Sequence, residues 1–327
     1  LKPSKALFRA ITLQLVACAA LLFAHVVAAE PAHDLVRAMH DATRHLNYAG
    51  VFVYQRGAQI DSMRLVHQYA NDNEKERLIS LSGPAREVIR DGELVTCLFA
   101  DDQAAMVEKN TPREMLTIGR SVPVESLIES YTFSLGADER VAGRNSSIVT
   151  LTPMTEDRYA YRLWVDKASR LLLKSAILGR GGRVLEQVQF VQIDIFDEIP
   201  AGMLEPEITS VGFTWRTDTA ETTGLQRQTA WHVNWVPHGF QMKNNAVQNM
   251  ATSRMPVEQM VYSDGLAMVS VFVEKLMPDE TPLQGYSARG AINAFSRVAG
   301  EYQITVVGEL PLPVVRQIAS SVARTGN

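Results

Sequence analysis

The spacing of apolar and polar positions changes its period after Gly50. Before that point Leu35, Met39, Ala42 and Leu46 recur at i, i+4, i+7 and i+11, which puts them on one face of a helix. Glu30 and Pro31 suit the start of that helix, and 47–50 suits its end. From Gly50 the repeat is two, and 51–54, 63–67 and 77–81 read as strands. Gly83-Pro84 interrupts the run. Residues 88–90 and 94–97 then flank Asp91-Gly92, a short hairpin signal because glycine accepts positive φ. Residues 104–108 offer a further strand, and 123–131 reads as a helix with Val124, Leu127, Ile128 and Tyr131 on one side.

The clearest antiparallel meander comes next, as strands at 147–152, 159–165, 171–178 and 184–195. In the last, Val184, Glu186, Val188, Phe190, Gln192 and Asp194 alternate with Leu185, Gln187, Gln189, Val191, Ile193 and Ile195. That pattern fits a long strand with one face buried and the other partly wet. Pro200, Gly202, Pro206 and Gly212, followed by the polar run 217–223, mark a boundary, and a linker is placed at 204–224. Beyond it, 231–236 reads as a strand, 237–239 as a turn, and Phe240 as the start of another strand. Residues 266–274 form an apolar strand entered by Asp264-Gly265, and 303–307 another. A closing helix at 313–322 buries Val314, Val315, Ile318 and Val322. The expected fold class is α+β and mostly antiparallel β, with a larger curved sheet domain at 30–203 and a smaller α+β domain at 225–322.

The N-terminus sets the expected compartment. Lys2, Lys5 and Arg9 precede an almost wholly apolar stretch from 10 to 27, and Val27-Ala28-Ala29 has the small residues a signal peptidase cuts after. Residues 1–29 therefore read as a cleaved secretory signal peptide. An uncleaved anchor is the alternative, since the stretch approaches the ~20 residues that span a bilayer, but Gln14 and His25 weaken it. Leu15-Val16-Ala17-Cys18 resembles a lipobox, yet the apolar run continues well past Cys18. Cleavage removes three of the 32 basic side chains and none of the 36 acidic ones, which leaves 298 residues with a net charge of −7. No basic block stands out, which argues against nucleic acid as a partner. Cys97 alone remains, so no internal disulfide is available; its apolar neighbours favour an inert, buried thiol.

Catalytic chemistry is sparse. The chain has no G-x-S-x-G elbow, no H-E-x-x-H, no phosphate-binding G-x-x-x-x-G-K-[ST] and no C-x-x-C. His33, His40 and His45 are seven and five apart, not the i, i+4 of a metal pair, and Asp101-Asp102 reads as a turn. No metal or cofactor site is expected. Methionines and aromatics along one concave sheet face form a soft apolar surface of the kind that accepts a lipid tail, with core filling as the competing role. On strand alternation the lipid-pocket candidates are Phe52, Tyr54, Leu98, Met106, Met115, Leu116, Phe133, Leu135 and Trp164. In the second domain Trp231, Trp235 and Phe240 are candidates for partner binding, again against a core role.

Several stretches resemble the RseB/MucB family of periplasmic negative regulators of the envelope-stress sigma factor. They are Leu46-Asn47-Tyr48-Ala49-Gly50-Val51-Phe52-Val53-Tyr54, Tyr161-Arg162-Leu163-Trp164-Val165-Asp166 and Leu171-Leu172-Leu173-Lys174 in the first domain. The second contributes 231–240, Val261-Tyr262-Ser263-Asp264-Gly265-Leu266 and 304–311. The resemblance implies a half-open β-barrel of the LolA type with helices over its mouth, joined by a linker to a smaller domain. It also implies binding to the periplasmic segment of a membrane-spanning anti-sigma factor (RseA or MucA), protection of that segment from the site-1 protease, and release by lipid signals, notably lipopolysaccharide. It brings no catalytic residue, and the oligomeric state stays open, a homodimer being one arrangement. A periplasmic lipid or lipoprotein carrier is the rival reading, and an enzyme with dispersed residues a third.

Overall fold

The computed structural model describes residues 31–109, 124–218, 230–248, 250 and 253–325. The signal-peptide expectation, Met115 and Leu116 lie outside these residues. Helix α1 (Ala32–His45) opens the fold and buries Leu35, Val36 and Met39. Strands β1 (Asn47–Arg56), β2 (Gln59–Ala70), β3 (Asn73–Ser80), β4 (Arg86–Asp91), β5 (Leu94–Phe99) and β6 (Ala104–Lys109) follow as successive antiparallel neighbours. The turn between β2 and β3 has Asn71 and Asp72 both at positive φ, and Gly92 between β4 and β5 has φ +58°. These are the conformations two-residue hairpins require.

Helix α2 (Val124–Ile128) is shorter than the periodicity predicts. Ser130 N–H closes a turn on Leu127 O, and Tyr131 starts strand β7 (Tyr131–Leu135), where pairing with β9 outweighs the helical spacing. Then come β8 (Glu139–Val141), β9 (Arg144–Pro153), β10 (Ala160–Asp166), β11 (Leu172–Leu178), β12 (Val184–Phe196) and β13 (Thr214–Asp218). The hydrogen-bonded order is β13-β6-β5-β4-β3-β2-β1-β12-β11-β10-β9-β7, with β8 also on β9. The end strands β13 and β7 are not paired with each other, so the thirteen-stranded sheet curls without closing. Strand β13 lies inside the stretch read as a linker. Its exposed turn residues gave a loop signal, but Thr214 to Asp218 pair in parallel with β6 and extend the sheet.

Across β9 and β10 the sheet buries both faces. Val149, Leu151, Tyr161, Leu163 and Val165 pack beneath α1 and α2, while Ile148 and Trp164 join Phe52, Met63, Leu173 and Phe190 in a second core. Strand β12 departs from simple alternation. Val51 pairs with Gln192 but Phe52 with Phe190, so Val191 is an extra residue that bulges out, 52% exposed. The bulge flips the phase, and Phe190 and Ile193 end up in the same core.

The smaller C-terminal domain has β14 (Trp231–Val233), β15 (Gln241–Gln248), β16 (Val257–Ser263), β17 (Met268–Lys275), β18 (Gly285–Arg289), β19 (Ile292–Ala299), β20 (Tyr302–Gly308), helix α3 (Leu312–Ser321) and β21 (Val322–Arg324). Its six-stranded antiparallel sheet runs β15-β16-β17-β20-β19-β18, and β14 pairs with β21. Pro313 falls in the first turn of α3, where a missing N–H costs nothing. Val314, Val315, Ile318 and Ala319 bury against Val269, Val271, Ile304 and Val306. Arg297 donates to the carbonyls of Ala319 (2.7 Å) and Val322 (3.0 Å), tying the end of α3 to β19.

Candidate functional site

The curled sheet and the smaller domain enclose a cavity of about 690 Å³. Its walls come from several neighbouring strands. On β1, Tyr48 and Tyr54 point inward; on β2, Asp61 and Met63; on β12, Glu186, Val188 and Phe190; and 171–175 with Ile177 line it from β11 and its approach. The Gly83-Pro84 loop, Phe99 and the Asp101-Asp102 turn form a rim. Leu266, Ile292 and Glu309 contribute from the C-terminal domain. Most of this wall is hydrocarbon and aromatic, with charges spaced around it, the composition of a binding cleft.

The polar end is ordered by the domain seam. Glu186 is buried, and its carboxylate accepts from the Tyr54 hydroxyl (2.5 Å) and from Ala291 N–H of the other domain (2.9 Å). Burial, then the bond to Glu186, pushes the Tyr54 phenol up. Burial, then the negative charge of Glu186, pushes the Glu309 carboxyl up to about 7. Arg56 stacks on the Tyr54 ring at 5.5 Å. Gly290 must lack a side chain, because a Cβ there would lie 2.5 Å from both Arg56 Cγ and Glu186 Oε1.

Further along the seam, Arg158 of the loop before β10 donates to Asp264 (2.8 Å) and to His238 O (2.6 Å), both in the C-terminal domain. Its guanidinium also lies 5.4 Å from the Phe240 ring. Asn293 donates to the Tyr159 hydroxyl (2.9 Å) and Leu310 O (2.8 Å), and Ala291 is buried in the core of the larger domain.

Of the lipid-pocket candidates, Tyr54 lines this cavity. Phe52 is buried against Phe190, with rings 5.6 Å apart. Trp164 is in the core, donating to Glu139 (2.6 Å) with Lys174 over its ring. Leu98 is buried, but its neighbour Phe99 is the one that reaches the cavity, a matter of strand parity. Met106 is half-buried outside the cavity lining, Phe133 packs on the helix-side core and Leu135 is exposed. Trp231 and Phe240 are buried in the C-terminal core, and Trp235 is partly buried against it. The residues that pattern reading missed are Glu186 and Glu309. A glutamate inside an otherwise apolar strand, and one in Gly308-Glu309-Leu310, were the available signals.

Among the described residues, one group could hold a metal ion. His67, Glu74 and Glu76 bring ligand atoms within 4.8 Å of one another. There His67 faces Leu46 O (2.7 Å) and Glu74 (2.9 Å), and Arg90 pairs with Glu76 (3.4 Å). His67 and Arg90 thus already engage both carboxylates. Among the described residues no helix is long and apolar enough to cross a membrane.

A hollow sheet whose cavity is completed by a second, smaller sheet domain defines a binding protein of two modules. The MucB/RseB N-terminal domain matches residues 31–208 and the MucB/RseB C-terminal domain residues 225–323. The chain belongs to the MucB/RseB family, a family of regulatory binding proteins. It is 29% identical over 317 residues to the sigma factor AlgU regulatory protein MucB of Pseudomonas aeruginosa, covering 90% of this chain and 91% of that one. It is 26% identical over 310 residues to the sigma-E factor regulatory protein RseB of Escherichia coli K12, covering 92% and 94%. Among solved structures, that of the Pseudomonas aeruginosa MucA/MucB complex superposes with a TM-score of 0.73 at 25% identity, over 91% of this chain and 100% of the other. A crystal structure of MucB in complex with MucA(peri) gives 0.71 at 25% identity, over 90% and 100%.

Proposed function

We propose that this chain is a periplasmic regulator of an envelope-stress sigma factor. In this reading residues 1–29 export it and are cleaved, 30–203 form the lipid-sensing domain, 204–224 the connection, and 225–322 the domain that engages the anti-sigma factor. It binds the periplasmic segment of a MucA- or RseA-type transmembrane anti-sigma factor and shields that segment from site-1 proteolysis. Lipopolysaccharide or another acyl lipid releases it.

The observation that carries this reading is the cavity lined by both domains. An occupant there touches both modules at once, so a second ligand that prefers a different domain arrangement shifts binding of the first through its differential affinity. No bond is made or broken in this scheme. The test is a pull-down with the purified periplasmic segment of the anti-sigma factor, with and without lipopolysaccharide. Capture that lipid reduces is expected; absence of capture, or indifference to lipid, sinks the reading.

The apolar share of the cavity wall favours a second reading, a lipid or lipoprotein carrier. It predicts acyl chains in mass spectra of the purified protein and transfer to an outer-membrane acceptor. The first reading gives a reason for the seam contacts of the C-terminal domain, and the second does not.

A further inference from the structure

We propose that Glu309 makes the cavity selective for a basic occupant, holding a lysine or arginine side chain of the partner segment. This rests on the regulator reading above and takes the anti-sigma segment as the occupant of the cavity.

Glu309 is fixed in place by its neighbours. Its own N–H donates to Met268 O (3.1 Å), and Leu310 behind it is fully buried. Gly308 before it admits no side chain, since a Cβ would lie 2.8 Å from Met268 O. The carboxylate therefore stays at the cavity wall.

Its charge is unmatched, whereas that of Glu186 is not. Glu186 takes a hydroxyl from Tyr54 and an N–H from Ala291. Among the described residues no hydrogen bond or ion pair reaches the Glu309 carboxylate, and the charge felt there is the like charge of Glu186. The groups facing this corner are the phenols of Tyr54 and Tyr161, Arg56 from β1 and Glu186 from β12. The other cations of the cavity lining, Arg86 and Lys174, come from β4 and β11, and Lys174 sits 4.3 Å over the Trp164 ring. Among the described residues, one cation against two carboxylates leaves a deficit of one positive charge. A buried carboxylate without a counter-ion takes up a proton or a cation. Leu172, Leu266 and Ile292 also line the cavity and offer apolar surface for the methylene stem of a lysine or arginine.

Proton and cation then compete for the same oxygen atoms. Because free Glu309 titrates at about 7, a basic side chain must displace a proton below that pH and meets an ionised carboxylate above it. Affinity rises from pH 6 to pH 8.

The test is fluorescence-anisotropy titration of the full chain with a labelled periplasmic segment of a MucA-type anti-sigma factor, at pH 6 and pH 8. Glu309→Gln, near-isosteric, should weaken binding about ten- to a hundredfold at pH 8 and abolish the rise with pH. Glu129→Gln, exposed and outside the cavity lining, should leave both unchanged. Segments with single Lys or Arg replaced by Met should include one whose loss is not added to by Glu309→Gln. A cooperative urea transition that starts well above zero denaturant for every variant at both pH values excludes a folding effect. If the wild-type chain binds the segment and Glu309→Gln binds equally well with the same pH response, the inference is overturned while the regulator reading stands. Additive losses for every basic residue overturn it too. If the wild-type chain does not bind the segment, the regulator reading fails first.

Discussion

Arg158 and Asp264 meet across the seam between the two domains at 2.8 Å, with side chains 1% and 3% exposed. Asp264 Oδ1 also accepts the N–H groups of Leu266 and Ala267 at 2.9 Å each, so one carboxylate both shapes the turn entering β17 and anchors the larger domain. Asp264→Asn keeps an oxygen for the turn and removes the charge. Stranding a buried charge costs about 3–5 kcal/mol; Asp157 stays beside Arg158 at 2.9 Å, so a loss of about 2–4 kcal/mol is expected. Urea unfolding followed by tryptophan fluorescence measures it. A change below about 0.5 kcal/mol, in the range of ordinary surface substitutions, would mean the pair does not couple the domains.

A second buried pair holds the chain as it leaves the larger domain. Arg77 and Glu87 are 2% and 1% exposed and pair at 3.1 Å. Glu87 accepts from Glu207 N–H and Ile208 N–H, and Arg77 donates to Met203 O. The pair thus clamps 203–208 on the sheet, next to the small core of Ala49, Val66 and Ile199. Glu87→Gln should raise hydrogen exchange in 203–208 while β9 and β10 stay protected. Exchange unchanged in that segment would show that the apolar contacts alone hold it.

Most of this fold is legible from periodicity, because one-sided burial imposes it. The meander around Tyr161, Leu163 and Val165 reads directly, and so does the hairpin at Gly92. Three features are not legible, each for a physical reason. Strand β13 is held by an edge, β6, that no local pattern announces. The phase of β12 turns on the bulge at Val191, which the strict alternation of the sequence conceals. The cavity's acidic corner needs Glu186 and Glu309, 123 positions apart in the numbering, to be brought together by domain packing. Short-range apolar pattern finds cores well, which is why Phe52, Trp164, Trp231 and Phe240 turned out to be core and the polar corner went unread.

Glu309 also makes stability depend on pH. Its carboxyl titrates at about 7 in the folded chain against an ordinary value of 4.5. Between those values the folded state holds more protons than the unfolded one. This group's contribution therefore falls as pH rises from about 4.5 to about 7 and levels off above, a total of up to about 3 kcal/mol. Other groups titrate in the same range, so the quantity to measure is the difference between wild type and Glu309→Gln in urea midpoints from pH 4.5 to pH 8. The variant should gain relative stability as pH rises; a constant difference across the range would remove the effect.

Gly50 ties the sheet's curvature to the cavity. A Cβ at Gly50 would lie 2.5 Å from the backbone oxygen of Gln192 and 2.8 Å from the Phe190 ring. Phe190 lines the cavity and sits beside the bulge that lets β12 bend around it. Gly50→Ala should destabilise the chain by about 1–3 kcal/mol, the usual cost of overpacking. Adding Phe190→Leu relieves the ring contact but not the one with the carbonyl, so it should recover only part of the loss. Because the ring has to move toward the cavity, Gly50→Ala should weaken occupant binding beyond what its stability change explains. Full recovery in the double variant would place the strain in the side chain and leave the backbone contact without consequence. Wild-type binding by Gly50→Ala would show that the β1–β12 junction can relax away from the cavity.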